Sequence, residues 1–345
     1  MTASRVSLCA TVLNEAESIE PWLESARRQT RLADEIVLCD GGSTDATVER
    51  LNAAASRDPR LKVCIAPGST IGAGRNVAIA RAAGPLIAVT DAGTVLDPDW
   101  LERLVAPLEA DSGVAVSAGF YRPAGRNWFE RVLAAVITPR RPDLPADGFP
   151  PSSRSVAFRR DWWERVGGYP EWLRTCEDLV FDFELRRRGA RFAFADDAIV
   201  SWYPRPTLAA FFSQYRAYAR GDGHAHLWAS RHAARYGAYA FGAALAARAR
   251  RSPAAAPALA LGVALHLAPF ARRVRDERPV AGPLEMAAAY ALVPAIVVTG
   301  DVAKMTGYPQ GLWERWRAGE PEGLAASRIA SPRHGADATY PISPA

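Results

Sequence analysis

Four short segments carry the residue types that handle charged ligands, and each stands where an apolar run breaks off. Asp40 opens DGGSTDAT, where Gly41 and Gly42 let backbone approach a flat ligand while Ser43 or Asp45 caps the next helix. A bare turn needs the glycines but not the carboxylate. Arg75 and Asn76 close GSTIGAGRN, residues 68–76, where a helix start offers N–H groups to an anion and a guanidinium fork matches phosphate. Asp91 lies in VTDAGTVLDPDW, a setting in which a carboxylate can ligate Mg2+ or Mn2+ bridging a diphosphate. Glu177 and Asp178 stand adjacent at the start of a helical pattern. Neighbouring carboxylates repel, so at least one can carry a raised pKa suited to general-base work. Taken singly, capped turns and acids at a helix start account for the same residues.

What must position them is an open α/β domain. Strand patterns over residues 6–12, 35–39, 61–66, 85–90 and 114–120 alternate with helical ones near 19–29, 46–55, 74–83 and 99–110. That alternation implies right-handed crossovers and a mainly parallel sheet flanked by helices. Ligands of such sheets sit beyond the carboxyl ends of the strands, where Asn14, Glu15, Asp40, Gly41, Gly42 and Asp91 fall. The Pro-rich stretch 121–155 is predicted irregular, a lid or acceptor-binding loop. After Arg231 the chain turns Ala-rich and all-helical. Residues 252–271 carry no full charge over twenty positions and 286–300 none over fifteen, against the ~20 apolar residues that cross a ~30 Å bilayer core. Arg248, Arg250 and Arg251 precede the first of these and Arg272, Arg273 and Arg275 end it, which suits an interfacial or re-entrant hairpin. A soluble helical cap is the alternative. The tail from 320 to 345 is predicted disordered.

Composition removes several classes. The 345 residues hold 4 cysteines with no CxxC pair and no zinc spacing, and residues 121–280 carry 26 basic groups, all arginine, against 15 acidic ones. Phosphate and anionic lipid fit that excess; nucleic acid is not expected, since no stacking array or binding module accompanies it. GxxxxGK[ST] and GxSxG are absent, and Val77 breaks the dinucleotide pattern GxGxxG. The N-terminus lacks a signal-peptide pattern, so a cytosolic start is expected.

In order along the chain, TVLNEAESI at Thr11, DGGSTDAT at Asp40, GAGRNVAI at Gly72, TDAGTVLDPDWL at Thr90, VGGYPEW at Val166, CEDLVFDFELRRRG at Cys176 and QYRAYARGDG at Gln214 resemble the family 2 glycosyltransferases. The resemblance covers roughly residues 5–225. It implies a GT-A nucleotide-diphospho-sugar transferase fold, with a catalytic domain over 1–225 and a helical, membrane-associating appendage over 226–319. It further implies a nucleotide-diphosphate sugar donor, with Thr11, Asn14 and Glu15 around the nucleoside and Asp40 with Gly41 at the base. Arg75 and Asn76 would lie near ribose and diphosphate, and Arg216 and Arg220 would close over the departing group. Asp91 resembles the first acid of a DxD metal motif, and Asp178, beside Glu177, the base of an inverting displacement. The second DxD acid is Gly93 here, which removes one ligand for a divalent cation, Mn2+ or Mg2+. The processive QxxRW pattern is missing after Gln214, so a single-sugar transferase acting on a lipid-linked or cell-envelope glycan at the cytoplasmic face of the membrane is expected. Two alternatives stand beside it: an inactive membrane-associated glycan- or nucleotide-binding scaffold, motivated by Gly93, and a sugar nucleotidyltransferase, which would need a glycine-rich basic first loop that ATVLNEAES lacks.

Overall fold

Residues 4–141 and 151–319 are described in the computed structural model; the expected disordered tail and residues 142–150 of the expected loop lie outside them. The chain divides into two compact units, one from residues 1–122 and 145–202, the other from 123–144 and 203–345.

In the first unit the chain runs β1 (Val6–Val12), α1 (Ile19–Arg27), β2 (Glu35–Asp40), α2 (Thr47–Ala55), β3 (Leu61–Ile65), α3 (Ile71–Arg81), β4 (Leu86–Val89), β5 (Thr94–Leu96), α4 (Trp100–Ala110) and β6 (Val116–Pro123). After α5 (Trp128–Ile137), which belongs to the second unit, come β7 (Val156–Arg159), α6 (Arg160–Val166), α7 (Glu177–Arg187) and β8 (Phe192–Trp202). Central strands read as continuous apolar runs because both faces are covered: every residue of β2 and β4 is buried. In α1, Ile19, Trp22, Leu23 and Ala26 recur at helical spacing and form its buried face.

The sheet has eight strands in the order β3-β2-β1-β4-β7-β6-β8-β5. The first four are parallel, as expected. Beyond β4 the sheet departs from the expected mainly parallel form: β7 is antiparallel to β4, β6 to β7, and β5 to β8. Register explains what this does for the site. Val12 pairs with Asp40, Cys9 with Val89, and Val89 with Val156. The loops leaving β1, β2 and β4 and the loop entering β7 therefore gather at one edge of the sheet. Beneath them Cys9, Val37, Cys39, Ile79, Val89, Phe158, Tyr169 and Phe181 share one core. All four cysteines are buried, and none is in a disulfide.

The second unit is helical, with α5, α8 (Leu208–His224), α9 (Ala229–Ala249), α10 (Ala256–Glu277) and α11 (Pro283–Ala318). The Pro-rich stretch expected to be irregular thus contains a helix, α5, whose cap Asn127 accepts the Glu130 N–H at 2.9 Å. Residues 203–225, expected with the catalytic domain, fall within this unit, where Leu208–His224 form α8. A Cβ on Gly307 or Gly311 would land on the Arg216 or Arg220 carbonyl oxygen, so glycine is what lets α11 lie against α8. Asp301 on α11 accepts from Arg235 Nε at 2.9 Å and Tyr239 Oη at 3.0 Å, with His266 Nε2 also at 3.0 Å. Large apolar side chains of α10, Leu261 and Leu265 among them, are exposed.

Candidate active site

The loops after β1 and β2 lock onto one another. Asn14, in the left-handed region at φ 56°, accepts the Thr44 N–H at 2.9 Å and donates its own N–H to Ser43 Oγ at 2.8 Å. Glu15 donates its N–H to Thr47 Oγ1 at 2.8 Å. Asp40 is fully buried; its Oδ1 accepts the N–H groups of Gly42 and Ser43 at 2.8 and 2.9 Å, and its Oδ2 accepts Ser43 Oγ. The carboxylate thus organises the DGGS turn, while Gly42, at φ 100°, adopts a conformation that a side chain would strain. Gly41 donates its N–H to the Val12 carbonyl at 2.9 Å, and Thr11 donates Oγ1 to the Cys39 carbonyl at 3.1 Å.

Arg75 is the hub. It is 3% exposed, donates Nη2 to Asp91 Oδ1 at 2.7 Å and Nη1 to Glu177 Oε1 at 2.5 Å, and lies 5.4 Å from the Tyr169 ring centre. Burial alone would lower its pKa; Glu177 and Asp91 more than offset that, so it stays cationic. Neighbouring Asn76 is spent on structure. Its Oδ1 accepts from Tyr169 N at 2.8 Å and Trp163 Nε1 at 3.0 Å, and its Nδ2 donates to the Tyr169 carbonyl at 2.9 Å, pinning the VGGYP turn.

Glu177 and Asp178 open α7 behind Cys176, a non-glycine residue at φ 66°. Left-handed backbone there costs about 1–2 kcal/mol, and such strain gathers at functional sites. Burial first, then the like charge of Asp178, raises the Glu177 pKa to about 7 against the opposing pull of Arg75. Asp178, 9% exposed, accepts the Leu179 N–H at 2.9 Å and faces the Ser153 N–H at 3.4 Å. One turn on, Asp182 is buried with its Oδ2 unbonded, and burial followed by Asp178 holds its pKa well above the carboxylate range. Tyr169 stacks on Phe181 at 4.1 Å, and its hydroxyl lies 3.1 Å from Ser153 Oγ.

Thr11, Asn14, Glu15, Asp40, Gly41, Arg75, Asn76, Asp91, Glu177 and Asp178 are all on the first unit. Arg216 and Arg220 are on the second, where Arg216 Nη2 donates to Gln310 at 2.9 Å and Arg220 Nε to Glu314 at 2.7 Å. Sequence reasoning missed Ser153, Arg154 and Tyr169. Arg154 had a readable signal, a basic residue within SSRSVAF immediately before an apolar run; Tyr169 had only its place after the Gly167–Gly168 turn. Among the described residues no group of three His, Cys, Asp or Glu side chains could hold a metal. A cation that takes most of its ligands from phosphate and water needs only one or two protein carboxylates. Asp91, with a 38% exposed side chain beside the open space at Gly93, fits that lesser demand.

A family model described as glycosyl transferase family 2 matches residues 7–167. The succinoglycan biosynthesis protein ExoA of Rhizobium meliloti is 31% identical over 235 residues, covering 64% of this chain and 70% of that protein. The putative glycosyltransferase EpsH of Bacillus subtilis is 35% identical over 105 residues, but this covers only 30% of each chain. Among solved structures, the mannosyltransferase PcManGT from Pyrobaculum calidifontis, in complex with GDP-Man and Mn2+, aligns with a TM-score of 0.54 at 21% identity, covering 91% of this chain and 87% of its own. That likeness concerns the fold.

Proposed function

The chain belongs to the family 2 glycosyltransferases, and from that premise we propose that it moves one sugar from a nucleoside-diphosphate sugar to a hydroxyl of a lipid-linked or cell-envelope glycan, inverting the anomeric carbon. It is a glycosyltransferase; donor, acceptor and stereochemistry are our reading. The observation that carries it is the meeting of Arg75, Asp91, Glu177 and Asp178 at the edge where the β4 exit and the α7 start come together. Asp178 takes the proton of the acceptor hydroxyl as its oxygen bonds to the anomeric carbon. The bond from that carbon to the diphosphate oxygen breaks, and its electron pair leaves with the diphosphate. Arg75 holds Asp91 and Glu177 in place for this, and the interlocked loops carrying Thr11, Asn14, Glu15, Asp40 and Gly41 form the nucleoside wall. When a divalent cation is bound, Asp91 would hold it and it would supply charge neutralisation for the diphosphate. The Mn2+ named with the mannosyltransferase supports that reading.

ExoA, a succinoglycan biosynthesis protein, supports a polysaccharide product. The missing QxxRW pattern supports single-sugar transfer. We assign 1–225 to catalysis and 226–319 to attachment at the cytoplasmic face of the membrane. Two helical stretches, Pro253–Glu277 and Pro283–Ala318, each hold an eighteen-residue window of mean hydropathy 1.7 and support attachment, the first with 6% of that window buried. Gly93 favours a second reading, a scaffold that binds nucleotide without turnover. The test is a thermal-shift panel of UDP-, GDP- and dTDP-sugars with and without Mn2+, followed by NMR of the product anomer. A donor that raises the melting temperature, then yields an inverted product, is expected. Binding with complete inertness would favour the scaffold, and a retained anomer would remove Asp178 as base. Full-length protein that stays soluble without detergent would count against the membrane assignment.

A further inference from the structure

Within the helical unit, α9 and α10 fold back on each other through the short turn at Pro253–Ala255. Tyr239 and His266 meet edge-on at 6.1 Å across this hairpin, which fixes its two helices as antiparallel. From Ala260 to Leu265 six consecutive residues of α10 are apolar, and all six are exposed. Six residues exceed one turn of ~3.6, so every side of the helix is open there. Leu261 and Leu265 are 60% and 66% exposed, and Phe241 on α9 is 66% exposed. A helix apolar on all sides belongs inside protein or lipid, and no protein covers this one among the described residues.

The charge of the hairpin has one sign. Between Asp222 and Asp276 the chain holds eight arginines and no acid. Arg248, Arg250 and Arg251 gather at the tip, all exposed, and among the described residues none of the three has an ion pair or a side-chain hydrogen bond. Other arginines of the unit are paired, Arg220 with Glu314 and Arg235 with Asp301. Three guanidinium groups beside bare leucines match phosphate headgroups lying over acyl chains. Carrying those three charges through a hydrocarbon core is costly, so the hairpin fits along the surface of a bilayer better than across it. We propose that the α9–α10 hairpin lies in the surface of a bilayer rich in anionic lipid, with Leu261 and Leu265 below the headgroups and Arg248, Arg250 and Arg251 on their phosphates. This rests on the membrane reading above and adds to it the lipid charge and the segment that reads it.

Vesicle flotation tests it, using the full chain purified in detergent and diluted into liposomes of phosphatidylcholine alone or mixed with phosphatidylglycerol. The wild type is expected to partition about tenfold or more in favour of the mixed vesicles, since each arginine near an anionic surface contributes a factor of about five. High salt should erase that preference. Arg248→Gln, Arg250→Gln and Arg251→Gln together should bring binding down to the phosphatidylcholine level with the melting temperature unchanged. Leu261→Asp with Leu265→Asp should weaken binding to both vesicle types. Equal partition of the wild type into the two, or a triple variant that keeps the preference, overturns the anionic-lipid assignment while the membrane reading stands. Wild-type chain that resists extraction by alkaline carbonate spans the bilayer and overturns the surface geometry. A chain that floats with neither vesicle and dimerises through this hairpin gives the face to a second copy, and the membrane reading falls together with this inference.

Discussion

Each unit buries an ionic cluster, and the two have opposite balances. Around Asp301 in the second unit, one carboxylate meets a guanidinium, a phenol and an imidazole, and both its oxygens are engaged. Around Arg75 in the first, one guanidinium is shared by Glu177 and Asp91, with Asp178 and Asp182 close behind and Arg154 paired with Asp91 at 3.8 Å. Among these described residues, acids outnumber guanidinium groups. Burial first, and then the like charge of Asp178, raises the pKa values of Glu177 and Asp182 there. A balanced cluster joins helices; an acid surplus is a place for a proton to arrive.

The largest expected difference follows from that reading. Asp178→Asn removes the proton acceptor with little change of shape, so kcat should fall about 10²–10⁴-fold while donor affinity, read by titration, stays within twofold. Near wild-type turnover would show that the surplus does not serve as a base. Breaking the balanced cluster should leave chemistry aside and strike stability. Asp301→Leu strands Arg235, whose side chain is 17% exposed, and removing one partner of a buried pair costs about 3–5 kcal/mol. Chemical denaturation reads this directly; a loss under about 1 kcal/mol would mean that Asp301 is not the joint between α9 and α11.

The two halves of the sheet were unequally legible in the sequence. β1 matches its expected bounds, and β2, β3 and α4 lie within a residue of theirs, because these elements carry unbroken apolar or helical spacing. The antiparallel half was obscure: β5 has three residues, β7 four, and β8 carries Asp196 and Asp197 in its middle, so none shows a clean period. α5 was masked by the prolines around it. Among site residues, types were legible but their present partners were not. Asp40 folding back on its own loop is a local Asx-type turn that DGGS favours, but nothing local says that Asn76 ties down a turn more than ninety residues away. That is a tertiary choice, as is the pairing of Arg216 and Arg220 with α11.

A smaller effect is expected from moving the acid count in the other direction. Gly93 is open: a Cβ there would meet nothing within 4 Å. Gly93→Asp should therefore fold as the parent does and place a second carboxylate two residues after Asp91. Mn2+ affinity in the presence of a nucleoside diphosphate is expected to tighten on the order of tenfold, because ligand charge sets the affinity of such sites. Unchanged Mn2+ affinity would mean that Asp91 does not lie where the cation binds.

The smallest effect concerns pH. Glu177 has its pKa raised in the folded chain from an ordinary 4.5 to about 7, so the folded state holds a proton that the unfolded state releases across that window. Stability is therefore fully present below about pH 4.5 and is lost as pH rises through about 7, at no more than ~1.4 kcal/mol per pH unit for one proton. Glu35, lowered to about 2 chiefly through its bonds to Lys62 and Ser7 in spite of burial, contributes with the opposite sign, but below this window. His224, lowered by burial, opposes the trend within it. Hence the quantity to measure is a difference: melting temperature against pH for the wild type minus that for Glu177→Gln, which should decline between pH 4.5 and 7. A flat difference for Glu177→Gln would mean that Arg75 fully balances Glu177, and the contrast between the two clusters would shrink to Asp178 and Asp182.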